Sequence, residues 1–181
     1  MDFIDLINKR QSVRKYSKKP VAKGDIEKCI EAARLSPSAC NSQPWTFVVV
    51  NTPELAHKVG KASIGLAYTF NKFAPGAPVF IAIIIEKPKV VAQVGEKLKD
   101  REFPLIDIGI AAEHFCLQAA ELGLGTCMIG WFNEEKVKAL LNIPENKRVG
   151  LLIALGHPVD NYRQRKKIRK DVSRVCRYNS Y

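Results

Sequence analysis

Paired metal ligands are absent from this sequence. Its five cysteines are widely spaced with no Cys-x-x-Cys pair, and its three histidines show no ligand spacing, which argues against a zinc site and a disulfide framework. No run approaches the roughly 18 consecutive apolar residues that a membrane span needs. Acids stand at Asp2 and Asp5, where a secretory leader would carry cations. We therefore expect a cytoplasmic protein with reduced thiols, no bound metal and no membrane partner.

Common nucleotide and nucleophile motifs are missing as well. There is no Walker sequence and no Gly-x-Ser-x-Gly elbow. The run Gly123-Leu124-Gly125 begins like a dinucleotide loop, but it follows a predicted helix and precedes a predicted strand, the reverse of the order that a phosphate cradle needs. We interpret it as a helix C-cap. Cys40 lies in a polar loop, and we assign it no nucleophilic role.

Negative charge is scarce at the C-terminal end. The net charge is +11, and residues 161–181 hold eight Lys or Arg against one Asp, so this short segment contributes +7. We call residues 159–181 the basic tail. Such a tail can bind nucleic acid through phosphates, remain a solvated arm, or deliver cations to a bound anion. Composition alone favours the solvated arm.

Hydrophobic periodicity predicts alternating helices and strands in a chain long enough for one domain, 1–181. The predicted helices are 2–10, 25–35, 54–62, 107–122 and 134–141, and the predicted strands are 45–50, 78–85, 126–131 and 149–155. The helix from Asp107, which we take as its capping residue, is apolar on more than one face. We expect it to be buried centrally or shared with another subunit.

Residues 86–106 form the least regular segment of the chain. They are charged and are interrupted by Pro88 and Pro104. We interpret this segment as a surface excursion that carries a helix over a site and can act as a lid.

Two short stretches hold candidate ligand-binding groups. If the chain is extended after its first helix, Arg10, Ser12 and Arg14 lie on one side and present two guanidinium groups and a hydroxyl to an anion. The alternative is a basic helix end in solvent. The second stretch is 36–45, SPSACNSQPW, in which two prolines stiffen a loop of small polar side chains. Ordinary turns use the same residue types.

These stretches, together with three others, resemble the FMN-dependent nitroreductase family in order and spacing over nearly the whole chain. The matching motifs are Arg10-x-Ser12-x-Arg14, Pro37-Ser38 with Asn41-Ser42-Gln43-Pro44-Trp45, Asp107-Ile108-Gly109, Gly123-Leu124-Gly125-Thr126, and Gly156-His157-Pro158 before the basic tail. The resemblance implies an α+β fold with a central mixed β-sheet flanked by helices. It also implies a homodimer, joined through the long apolar helix, with two FMN sites at its interface.

By the same resemblance, both ends of the chain hold the FMN phosphate. Arg10 and Ser12 contact it from the N-terminal side, and Arg14 reaches the phosphate or the N1/O2 edge of the flavin ring. A Lys-x-Arg pattern in the tail, which fits Lys167 and Arg169, supplies further cations. Charge-assisted bonding to a phosphate dianion needs several cations, so the resemblance implies that part of the tail's positive charge binds the FMN phosphate.

The resemblance also assigns the surroundings of the flavin ring. The polar loop comes from the partner subunit and lines the ring, Asn71 contacts the ring's polar edge, and the backbone of Ile129 and Gly130 approaches N5. The family also has a lysine near this position, but Lys72 is offset from it and is not assigned a contact. The implied cofactor-binding residues are Arg10, Gln11, Ser12, Arg14, Pro37, Ser38, Ala39, Asn41, Gln43, Asn71, Ile129, Gly130, Lys167 and Arg169.

The implied function is an NAD(P)H-dependent FMN oxidoreductase with no catalytic side chain. NADH or NADPH passes a hydride to flavin N5, and a small aromatic acceptor, such as a nitroaromatic, a quinone or a related flat molecule, then takes its place in a ping-pong cycle. Several alternatives stay open. They are reductive dehalogenation or flavin fragmentation on the same fold, a flavin-binding protein with little turnover, and a nucleic-acid-binding module that uses the tail.

Overall fold

The computed structural model describes residues 2–64 and 70–181. In these ranges the helices are α1 (Phe3–Lys9), α2 (Lys23–Arg34), α3 (Pro53–Ala62), α4 (Val90–Lys99), α5 (Phe103–Glu121), α6 (Glu134–Leu141) and α7 (Val172–Val175). The strands are β1 (Trp45–Val50), β2 (Val79–Ile85), β3 (Gly125–Ile129) and β4 (Arg148–Gly156). Single-turn 3-10 helices lie at Ala39–Asn41 and Ala74–Gly76. Most bounds agree with the predicted ones to within one or two residues, the usual scatter of helix ends.

The four strands form one sheet in the order β1-β2-β4-β3. All three strand pairs are antiparallel, with Trp45 opposite Ile85, Val79 opposite Leu155, and Gly125 opposite Gly156. The α+β class is therefore confirmed. The predicted sheet was mixed, and in the described residues its parallel part is one isolated bridge, Ser12–Thr126, because the extended segment after α1 pairs with β3 at a single position.

Helices cover both faces of the sheet and enclose two apolar clusters. One cluster joins α2 and α5 to residues such as Ile81 and Ile83, and the other joins α3 and α6 to Phe80 and Ala82. Alternate residues of β2 thus enter opposite clusters, and this is the reason the strand reads as one continuous apolar run. Each fully buried aliphatic or aromatic side chain contributes about 1.5–3 kcal/mol of transfer free energy.

The long helix begins earlier than its sequence predicts. Its first residue is Phe103, and Asp107 lies inside α5 as a buried residue instead of capping it. The reason is that Pro104 occupies the first turn, where the missing N–H has no intrahelical partner in any case. Residues 86–106 do carry a helix, α4, as expected, but their last four residues belong to the start of α5.

All five cysteines are free thiols, and no group of three or more potential ligands that could hold a metal occurs in residues 2–64 and 70–181. Within the same ranges, no helix has the length and apolarity needed to cross a bilayer. Gly123 ends α5 with φ +76°, and the N–H of Leu124 donates to the carbonyl of Ala119 at 2.8 Å, which is a C-cap.

Candidate functional site

The basic tail folds back onto the end of α1. Gln164 Nε2 donates to the carbonyl of Asn8 at 2.9 Å, and the backbone N–H of Arg165 donates to Gln11 Oε1 at 3.1 Å. Lys167 Nζ donates to the carbonyl of Arg10 at 2.5 Å. Residues more than 150 positions apart are thereby joined, so the tail is not a free arm up to Lys167.

This contact gathers positive charge around Lys167. Burial, followed by the charges of Arg10 and Arg169, lowers the pKa of the Lys167 ammonium below its usual range. Arg165 adds to this effect and also donates to the carbonyl of Ser12. Glu113 on α5 opposes it as the nearby acid. Four cations against one carboxylate leave an excess of positive charge that a bound anion would neutralise.

The side chain of Arg10 has an unsatisfied donor. It is three quarters covered, and its Nε lies 3.2 Å from Glu113 Oε1. This contact is an ion pair without the geometry of a hydrogen bond, so the buried Nε has no hydrogen-bond partner in the described structure. Buried donors normally have a partner, and the most direct explanation is a ligand with acceptor oxygens. A cleft of about 140 Å³ opens beside Arg10, between α1, β3 and Tyr162.

Ser12 and Arg14 continue the same strip of chain along the edge of β3. Burial raises the pKa of the Cys127 thiol, and the nearby side chains of Arg14, Ser12 and Arg165 oppose this shift. The guanidinium of Arg14 lies 5.8 Å from the centre of the Phe73 ring, a cation–π distance. Arg14 therefore points to the Phe73 side of the site, away from the charges around Lys167.

Asn71 and the end of β3 form a second group. Asn71 Nδ2 donates to the carbonyls of Ser63 at 3.0 Å and Trp131 at 2.8 Å. The amide thus fixes the backbone immediately after Gly130. A Cβ at Gly130 would meet none of the described atoms within 4 Å, so there is open space beside this residue in the described part of the chain.

The polar loop is ordered by hydrogen bonds of its own. The backbone N–H of Gln43 donates to Ser38 Oγ at 2.9 Å, and Gln43 Nε2 donates to Asn41 Oδ1 at 2.9 Å. Pro37, Asn41 and Gln43 are exposed, whereas Ser38 and Ala39 are partly covered. Trp45, just beyond the loop, belongs to the core as expected. The loop therefore presents its amides to solvent in a defined arrangement.

The structure thus brings the N-terminal and tail residues together and places Asn71 beside Gly130. Among the described residues, no hydrogen bond or ion pair joins the polar loop to Arg10 or Lys167. Sequence reasoning missed Arg165, Glu113 and Tyr162, whose hydroxyl accepts from the N–H of Arg14 at 3.0 Å. Arg165 could have been found, because it precedes Lys167 by two in the same basic run. Glu113 and Tyr162 carry no local signal.

Fold and site together define an α+β protein with a cluster of cations between its N-terminal segment and its basic tail. The model of the nitroreductase family matches residues 7–69 and 66–157, which is most of the chain. This chain belongs to the nitroreductase family.

Relatives of known name agree with this assignment. A protein of Archaeoglobus fulgidus named NADH dehydrogenase/NAD(P)H nitroreductase is 35% identical over 167 residues, which are 88% of this chain and 87% of that protein. Iodotyrosine deiodinase 1 of Sus scrofa is 28% identical over 179 residues, with 87% of this chain and 61% of that protein covered.

Solved structures share the fold. A nitroreductase family protein of Clostridium novyi superposes with a TM-score of 0.75 at 32% identity, covering 88% of this chain and 87% of that one. An FMN-dependent nitroreductase of Clostridium difficile superposes with a TM-score of 0.78 at 26% identity, covering 99% and 100%.

A flavin mononucleotide fits the residues that are present. Its terminal phosphate is a dianion with several acceptor oxygens, and the site offers an orphaned, buried Nε on Arg10 together with the cations around Lys167. The open space at Gly130 suits a planar ring. The donor set therefore matches the cofactor on which the family depends.

Proposed function

We propose that this protein is an FMN-dependent oxidoreductase that uses NADH or NADPH to reduce flat aromatic acceptors such as nitroaromatics and quinones. The observation that carries the proposal is the buried Nε of Arg10, left without a hydrogen-bond partner in a cluster of four cations. Relatives named NAD(P)H nitroreductase support the electron donor, and a structural neighbour named FMN-dependent supports the cofactor.

In this proposal the N-terminal segment and the tail act as a clamp on the phosphate. Arg10 and Lys167 donate charge-assisted hydrogen bonds to its oxygens, with Arg169 and Ser12 beside them. Gln11 acts indirectly, because its side-chain oxygen is engaged by Arg165 and holds the tail in place. Arg10 and Lys167 can therefore bind the phosphate together only when both ends of the chain are folded.

Ring contacts come from backbone and amide groups. In this proposal the backbone of Ile129 and Gly130 lies beside the ring edge, and Asn71, which donates to the carbonyl of Trp131, keeps this backbone in position. Arg14 supplies a cation near the ring's polar edge. When bound, FMN supplies the redox chemistry, taking up a hydride from NADH or NADPH and delivering it to the acceptor. The described side chains are needed for binding and orientation, not as nucleophiles.

We further propose that the protein is a homodimer in which the polar loop lines the partner subunit's flavin. Apolar side chains are left exposed on α1 and α5, including Phe3 at 62%, Ile4 at 59% and Ile106 at 52%. Neighbouring apolar residues exposed to this degree mark a surface that another protein covers. In the described part of the chain, the loop forms no hydrogen bond or ion pair with Arg10 or Lys167 of its own subunit, so it is available to line the second site.

The decisive experiment is an anaerobic absorption spectrum of the purified protein before and after adding NADH, and then NADPH. We expect a flavin band, retained after gel filtration, that bleaches with at least one of the two nucleotides and returns when a nitroaromatic or quinone is added. The Arg10→Ala variant, prepared in the same way, should retain less flavin. A protein that stays colourless after incubation with FMN contradicts the proposal.

Reductive dehalogenation is the second candidate, because the similarity to iodotyrosine deiodinase 1 spans 87% of this chain. Turnover with a nitroaromatic and with iodotyrosine, measured with the same reduced enzyme, separates the two. Faster release of iodide from iodotyrosine than reduction of the nitroaromatic favours reductive dehalogenation.

A further inference from the structure

A buried carboxylate ties the polar loop to α5. Asp107 is 4% exposed and is the only acidic residue that is buried in the described part of the chain. Its two oxygens lie 3.1 and 3.2 Å from the backbone nitrogen of Ala39, whose N–H donates to them. No ion pair to Asp107 is formed by the side chains that the structure describes. Burial raises the pKa of Asp107, and the hydrogen bond from Ala39 opposes this shift.

Packing alone does not explain an acid at this position. The other buried residues of α5 are apolar or small, namely Pro104, Ile108, Ala111, Ala112, Phe115, Cys116, Ala119 and Ala120. A buried carboxylate without a counter-charge is costly, and an aliphatic side chain of similar size would fill the same space. The distinguishing property of Asp107 is its ability to accept the N–H of Ala39.

That N–H stands at the start of an unusual backbone. Cys40, Asn41 and Gln43 adopt φ values of 52°, 49° and 48°, the left-handed region that residues with a Cβ disfavour. The hydrogen bonds between Ser38, Asn41 and Gln43 shape the loop internally, but they do not fix its position on the rest of the fold. The bond from Ala39 to Asp107 does so from the helix side.

We infer that Asp107 is a positioning residue, which holds the Ser38–Gln43 loop on α5 in the geometry that receives the flavin ring. This inference rests on the proposed function. Glu113, six residues further along the same helix and so about 9 Å away along its axis, lies against Arg10 of the phosphate site. One helix therefore positions the phosphate anchor of its own subunit's site and the loop that lines the partner subunit's ring.

Three substitutions test the role of the carboxylate. Asp107→Asn keeps an acceptor oxygen in the same place, Asp107→Leu fills the space without an acceptor, and Asp107→Ala removes both. Glu121→Ala, an exposed acid at the end of the same helix, is the matched control. The readouts are the exchange rate of the Ala39 amide proton in flavin-free protein, the visible circular dichroism of bound FMN, and the FMN dissociation constant.

We expect Asp107→Leu and Asp107→Ala to exchange the Ala39 amide faster and to alter the dichroism of the bound ring. Loss of a hydrogen bond to a charged group predicts FMN affinity weaker by about tenfold or more. Asp107→Asn should restore the wild-type dichroism and bring affinity to within about threefold. A loss shared by the Leu and Ala variants and rescued by Asn does not arise from a cavity, and Glu121→Ala should match the wild type.

Two different failures can be told apart. If the wild type binds FMN and the folded Asp107→Leu variant shows unchanged dichroism and affinity, the inference is overturned while the proposed function stands. If the wild type binds no FMN at any concentration tried, the proposed function is overturned, and the inference about the ring is overturned with it.

Discussion

The guanidinium of Arg10 constrains the function more than any other single group. Its side chain is 24% exposed, yet its Nε finds no hydrogen-bond partner in the described structure, although Glu113 is within 3.2 Å. A buried, charged donor in this state favours a ligand that supplies an acceptor. A negatively charged ligand explains why the site consists of Arg and Lys side chains.

Replacing Arg10 by Ala should weaken FMN binding by about 2–3 kcal/mol, because a charge-assisted contact to the phosphate is lost. The dissociation constant can be measured by quenching of flavin fluorescence. Arg34→Ala is the control, since Arg34 is exposed on α2 and pairs with Glu31. Equal flavin affinity in the wild type and Arg10→Ala would remove Arg10 from the site.

The lowered pKa of Lys167 predicts that FMN binding depends on pH. Its pKa is lowered in the free protein, first by burial and then by Arg10, whereas a bound phosphate favours the charged ammonium. FMN affinity should therefore be constant near neutrality and fall as pH rises through the lowered pKa of Lys167. Dissociation constants measured across the alkaline range test this expectation.

The matched variant is Lys167→Arg, whose guanidinium keeps its charge at these pH values. It should bind FMN at neutral pH and lack the part of the alkaline decline that Lys167 causes. Titration of the ligand itself is common to both proteins, so it cancels in the comparison. The same decline in both would show that Lys167 does not titrate against the phosphate.

At the scale of elements, local patterns predicted most of the structure. The apolar run of β2 and the capped helix α6, where Asn133 accepts from the N–H of Lys136, were predicted at close to their observed bounds. The beginning of α5 was not, because Pro104 and the charged residues before it have the composition of a loop. Only the tertiary structure shows that the helix begins at Phe103 and includes Pro104.

The C-terminal end of α5 gives a stability prediction. Gly123 has φ +76° and no atom within 4 Å of an added Cβ, so the cost of Gly123→Ala is purely conformational. We expect the free energy of unfolding to fall by about 1–2 kcal/mol. Chemical denaturation measures it, with Gly24→Ala as control, because Gly24 also has open space but lies in α2 without a positive φ. Equal changes in the two variants would contradict the strain argument.

At the scale of the whole molecule, the distribution of charge has a structural use. Residues 161–181 carry +7 of the net +11, and the tail returns to α1 through Gln164, Arg165 and Lys167. Composition favoured a solvated arm, and this was wrong for the part of the tail up to Lys167. Hydrogen bonds to residues 8–12, distant in sequence, are the physical reason.

Deleting 163–181 should abolish FMN binding and leave the sheet folded, because the core clusters contain no tail residue. Flavin retention after gel filtration and far-ultraviolet circular dichroism measure the two properties. Polynucleotide binding serves as the test of the alternative. A truncated protein that keeps its flavin and loses affinity for polynucleotide would support the nucleic-acid interpretation of the tail.

The candidate site could be predicted in part. The Arg10-x-Ser12-x-Arg14 motif and the polar loop were visible because each is a compact run of functional residue types. The roles of Glu113 and Asp107 were not, since each acts on a residue that lies distant in the chain. Arg14 was grouped with Arg10, but its guanidinium lies against Phe73.

The sequence by itself determined the α+β class, the bounds of most elements, the free thiols and the family resemblance, because these depend on local periodicity and on short motifs. Tertiary structure decided which cations share one site, which donor of Arg10 is left without a partner, and where Asp107 acts. The physical reason is that charge and hydrogen bonding depend on distances through space. Those distances exist only after residues 8–12 and the tail have been brought together.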